Sequence, residues 1–102
     1  MGRMSILAKR LAEARKRAGI SSQRELGVMA GLHISGADVR MFYYEAGQNQ
    51  PKLSLMKRIA AELHTPLPYF YCEDDVLANL ILKFGTLDEA QKKKLLDFVD
   101  TL

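Results

Sequence analysis

The sequence predicts an all-α fold, a helical bundle carrying two extra C-terminal helices, and three observations lead there. Apolar residues return every three or four positions along most of the chain, which is the spacing of one helix face. Glycines and prolines fall mostly at the ends of these periodic segments, where they stop helices. No stretch alternates apolar and polar residues with the period of two that a half-buried strand requires.

In the first helix, Leu7, Leu11, Ala14 and Ala18 share one face, "KR" and "RKR" fill the other, and Gly19 sits at the C-cap position. "SSQRE" then reads as a capping box, with Ser22 as the cap and Glu25 reaching back, and opens a short second helix carrying Leu26, Met29 and Ala30. Gly31 ends it. After the turn-like "LHISG", a third helix starts near Asp38, turns Met41 and Tyr44 inward, and stops at Gly47.

Pro51 blocks continuation, and Met56, Ile59, Ala60 and Leu63 mark a fourth helix that ends before Pro66. "PLPYFY" is a tight aromatic connection. "EDDVLANLILKFG" places acids in the first turn of a fifth helix, where the dipole favours them, and Gly85 at its end. The apolar residues of this helix nearly encircle it, so cover on more than one side is expected, with a second subunit as a candidate. The last helix has Thr86 and Glu89 as its capping box and a stripe of Leu95, Phe98, Val99 and Leu102.

At 102 residues one core is expected, burying about two thirds of the surface that the unfolded chain exposes. The longest uncharged, mostly apolar run is Val76 to Leu82, against roughly 20 residues for a membrane helix. "MGRMSILAKR" has no signal-type apolar region before its first lysine, so a cytoplasmic protein that does not enter a membrane is expected. Cys72 is the sole cysteine and reads as a packed, reduced thiol. His33 and His64 lie far apart without a nucleophile or paired carboxylates around them, so no enzyme, cofactor or metal site is expected.

Charge is divided. Residues 1–58 hold eleven Lys/Arg against four Asp/Glu, a net +7, whereas residues 59–102 hold four against eight, a net −4. The basic part is the candidate polyanion face. Lys92 to Lys94, opposite the apolar stripe of the last helix, read as a solvated face.

Two short helices joined by a turn, between a basic first helix and an amphipathic fourth, match the pattern that sets a helix in the DNA major groove. The residues narrow it further. Ser22, Gln23 and Leu26, then Tyr44, Glu45 and Gly47, Pro51, and finally Ile59, Ala60 and Leu63 resemble the lambda repressor and Cro-like (XRE) helix-turn-helix family over roughly residues 5 to 71. The tail from Tyr69 also resembles the helical tail of a repressor subgroup.

The resemblance implies a lambda-repressor-like helix-turn-helix unit over residues 1–71 and a dimerisation extension over 72–102, packed on the same core. It implies a transcriptional repressor that binds double-stranded DNA as a homodimer on a pseudo-palindromic operator. Gln23 then contacts a phosphate, Arg15 and Glu45 brace the first helix against the third, and Asp38, Val39, Arg40 and Tyr43 face the groove. Arg40 is either a guanine reader or a phosphate contact, Val39 meets a thymine methyl, and Asp38 either accepts from cytosine or caps the third helix. The Arg15–Glu45 pair is alternatively a solvated pair of little worth.

Lys52, with Arg3, Lys9, Arg10, Lys16, Arg17, Arg24 and Lys57, supplies candidate phosphate contacts. Two departures stand out: the segment between the second and third helices is about four residues longer than the family's short turn, and Phe42 and Tyr43 replace polar residues. Phe42 is expected to pack under the longer loop, and Tyr43 to reach a phosphate or a base edge. These aromatics and the nearly all-apolar fifth helix also suit an antitoxin-like or adaptor module that binds another protein on the same fold.

Overall fold

The computed structural model describes residues 5–102, and every regular element within them is helical. Helices α1 (Ile6–Arg17), α2 (Gln23–Met29), α3 (Ala37–Glu45) and α4 (Leu53–Glu62) lead into a 3-10 turn at Leu67–Tyr71, followed by α5 (Asp75–Gly85) and α6 (Glu89–Val99). The expected phosphate contact at Arg3 lies outside the described residues.

One core joins α1 to α4, the aromatic turn and one side of α5. Leu11, Leu26, Met41, Met56, Ile59 and Phe70 are fully buried there, each stabilising the fold by about 1.5 to 3 kcal/mol. The turn is apolar because it is a wall of this core: Tyr69 and Phe70 are buried with their rings edge to face at 5.4 Å. From the extension, α5 adds Ala78 with Ile81 and Leu82 packed beside it, whereas α6 contributes no buried side chain.

Helices α2 and α3 pack closely because Gly27 carries no side chain. A Cβ there would stand 2.9 Å from Met41 Cγ and 3.1 Å from Ala37 Cβ, closer than packed carbon atoms settle. Leu32 anchors the longer loop between them, its amide donating to Gly27 O at 2.9 Å.

Several helix ends differ from the sequence expectations. Ser22 does cap α2, accepting from the Glu25 amide at 3.1 Å, but the reciprocal bond from the Ser22 amide to the Glu25 carboxylate is not formed. Gly36, not Asp38, is the N-cap of α3; Asp38 lies inside the first turn and accepts from the Val39 amide at 2.9 Å. Helix α4 ends without help from Pro66, because His64 takes a left-handed backbone (φ 49°) and the Thr65 amide turns back to Ala60 O.

The box on α6 is formed by Asp88 and Gln91 in place of Thr86 and Glu89. Thr86 is unavailable because its hydroxyl donates to Lys83 O at 2.7 Å and closes α5. Gly85 has a packing reason: a Cβ there would meet Pro66 Cγ at 2.7 Å.

The junction between the four-helix unit and the extension is held by Arg10. Its Nε and Nη2 donate to Cys72 O at 3.0 and 2.8 Å, and Nη2 also donates to Asp75 Oδ1 at 2.9 Å. The guanidinium also lies over the Tyr69 ring, 5.3 Å from its centroid. Arg10 is therefore buried, which removes it from the expected phosphate contacts. Cys72 is half-buried, with its thiol donating to Asp74 O at 3.4 Å. Among the described residues, no helix is long and apolar enough to cross a membrane.

Candidate nucleic-acid interface

The surface of interest is built on α3, whose inward residues are fixed first. Ala37, Met41, Tyr44 and Glu45 are buried, so the 3.6-residue turn leaves Asp38, Val39, Phe42 and Tyr43 facing out. These four, with Gln23 at the start of α2, line a shallow groove.

Gln23 ties this groove to a buried polar network. Arg15 Nε donates to Glu45 Oε2 at 2.7 Å and Nη2 to Oε1 at 3.0 Å, the paired geometry of a guanidinium on a carboxylate. Arg15 Nη1 donates to Ile20 O at 2.8 Å and Ser21 O at 3.0 Å, fixing the turn before α2. Gln23 Nε2 donates to Glu45 Oε1 at 3.0 Å. Both charged side chains are 7% exposed, and the hydrogen bond to Glu45, working against desolvation, raises the Arg15 guanidinium above its usual range. Among the described residues, every buried side-chain nitrogen and oxygen has a partner.

Arg40 does not join the groove. It lies on the flank of α3 facing α4, where its Nη2 donates to the Tyr44 hydroxyl at 2.8 Å. There it lines a second, more polar notch with Lys52, Ser54, Leu55 and Arg58. The notch adjoins the first turn of α4, whose N-cap Lys52 makes no side-chain cap bond, and such a helix start favours an anion. The sequence reading missed Arg58; the signal was its spacing, since positions 52, 55 and 58 share one helix side.

Phe42 corrects another expectation. It does not pack under the longer loop but stands 53% exposed beside Tyr43, the rings 5.6 Å apart and edge to face. At the loop tip, Ile34 is exposed, and the Ser35 amide donates to His33 Nδ1 at 3.1 Å. The expected site residues thus fall into two groups: Gln23, Asp38, Val39 and Tyr43 around the groove, Arg40 and Lys52 in the notch. Among the described residues, no three His, Cys, Asp or Glu side chains gather where a metal ion could be held.

Comparison with solved structures finds a close likeness. The chain is 39% identical to the crystallised transcriptional regulator BswR and superposes on it with a TM-score of 0.87, over 93% of each chain. No protein-family model and no curated protein matches the chain.

Proposed function

Because the chain belongs to the same family as the transcriptional regulator BswR, we propose that it binds duplex DNA and regulates transcription, with α2 and α3 as the helix-turn-helix of a lambda repressor and Cro-like unit. The outer face of α3 carries this reading. It is exposed over Asp38, Val39, Phe42 and Tyr43, rigidly backed by the Arg15–Glu45 pair, and flanked by Arg40, Lys52 and Arg58.

In the proposed complex α3 enters the major groove and presents Asp38, Val39 and Tyr43 to base edges. Arg40, Lys52 and Arg58 take a phosphate at the start of α4, and Gln23, whose amide has a second proton beyond that given to Glu45, takes another. The orientation of Arg40 toward α4 favours the phosphate role over guanine readout.

A second copy of the chain covers the extension. Val76, Leu77, Leu80, Leu96, Phe98 and Val99 are exposed, and apolar side chains exposed together suit an interface between copies. A homodimer joined there presents two α3 helices to a pseudo-palindromic operator with half-sites about 34 to 36 Å apart. Repression follows by occupancy of a promoter, in the cytoplasm and without a cofactor.

Titrating salt against affinity for a random duplex tests the reading. Affinity falling steeply in log–log form between about 50 and 200 mM salt is the expected result, since each neutralised phosphate adds about 0.9 to the slope. A flat or undetectable response favours an antitoxin-like or adaptor module, in which Phe42 and the apolar extension bind protein.

A further inference from the structure

The geometry points to thymine C5-methyl groups as the feature that the α3 face reads, which makes Phe42, together with Val39, a specificity-determining residue. This rests on the proposed DNA binding and adds the chemistry of the preferred half-site.

The outward side of α3 is a strip of apolar surface. Val39 is 52%, Phe42 53% and Tyr43 38% exposed, and the Phe42 ring is set edge-on against Tyr43. Among the described residues, the groove that these residues line contains no cation, and its one charged side chain is Asp38. The guanidinium that would suit guanine O6 and N7 belongs to Arg40, and it is bound to the Tyr44 hydroxyl on the α4 side.

In the major groove, a G·C pair offers only polar atoms, two acceptors on guanine and one amino donor on cytosine, whereas an A·T pair adds the thymine methyl. An apolar strip laid on G·C pairs strips water from those acceptors and returns no hydrogen bond, which is costly. Laid on A·T pairs, it buries methyl groups. Asp38 does not decide between the pairs, because a carboxylate only accepts, and both adenine N6 and cytosine N4 offer it a donor. The core of each half-site is therefore expected to be T·A-rich, with thymine methyls against Val39 and Phe42.

The test replaces thymine by deoxyuridine, which removes the methyl and keeps every Watson–Crick atom. Duplexes bound by the full-length protein are first selected from a random pool, and each half-site thymine of the best duplex is then changed to deoxyuridine in turn. Each contacted methyl is expected to cost about fourfold in affinity, the ratio that corresponds to one buried CH₂ group. The double variant Val39→Ala, Phe42→Ala changes only exposed residues, so it stays folded, and it should bind thymine and deoxyuridine duplexes equally.

Equal affinity of the wild-type protein for both duplexes overturns methyl reading while leaving DNA binding intact. The same loss in wild type and double variant also overturns it, since deoxyuridine then acts through DNA shape. Failure to select any duplex removes the DNA-binding reading itself, and this inference with it.

Discussion

The guanidinium of Arg15 and the carboxylate of Glu45 meet through two hydrogen bonds, of 2.7 and 3.0 Å, and join the last turn of α1 to the last residue of α3. The pair sets where the outer face of α3 points, and it is nearly dry. Removing one partner leaves a buried charge unmatched, which costs about 3 to 5 kcal/mol. Arg15→Ala and Glu45→Ala are each expected to lower the urea midpoint by that measure, while the double variant to well-fitting apolar residues recovers part of the loss. Additive losses in the double variant would show that the two residues do not act together.

Acid should loosen the extension before it unfolds the bundle. The hydrogen bond from Arg10, with the charges of Lys9 and Arg10, lowers the Asp75 carboxyl below its ordinary value of 3.8. A carboxyl depressed on folding contributes stability that is complete above 3.8 and is lost as pH falls through its folded value. The protection of α5 amides, taken against their intrinsic exchange rates, is therefore expected to fall in that acid window, ahead of protection in α1 to α4. Asp75→Asn should show the lower protection at neutral pH and little further loss of protection on acidification.

Gly27 is the contact point of α2 and α3, and its replacement tests their packing. Gly27→Val forces Met41 and Ala37 apart, an overpacking cost of about 1 to 3 kcal/mol. The same substitution shifts α3 relative to α2, so DNA affinity should fall by more than the loss of folded protein explains. Denaturant curves measured beside binding curves separate the two effects.

The cationic notch predicts how affinity responds to salt. Lys52→Ala and Arg40→Ala should each weaken binding to all duplexes about equally and reduce the salt slope by about 1. A changed base preference in Arg40→Ala, with the slope intact, would place Arg40 among the base contacts instead.

Helix α6 contributes no buried residue to the core, so in the proposed dimer its loss should be felt between the two copies. A chain ending at Asp88 is expected to keep the far-UV signature of α1 to α5 and to sediment as a monomer. Weak binding to single half-sites would persist, and tight binding to a two-half-site operator would not.

The helices were legible in the sequence because each carries its own apolar period, as Leu7, Leu11 and Ala14 do in α1 and Met56, Ile59 and Ala60 in α4. What remained hidden depends on partners distant in sequence or on competition between neighbouring signals. Arg10 resembles any surface cation until the chain returns 62 residues later with Cys72 O and then Asp75. The α6 cap is ambiguous in the sequence because "TLDEAQ" contains two overlapping box patterns, and Thr86 is drawn into closing α5. An aromatic where the family has polar residues suggests that Phe42 packs under the longer loop, yet its position on α3 sets it outward beside Val39 and Tyr43.

The most direct test of sequence-specific recognition by α3 is the ratio of affinities for a selected duplex and a random duplex at physiological salt, in wild type and in Val39→Ala, Tyr43→Ala. The account predicts a ratio of about 10³ or more for the wild type and a collapse toward unity in the variant, with random-duplex affinity unchanged. A wild-type ratio near one, or a high ratio that survives in the variant, would contradict it.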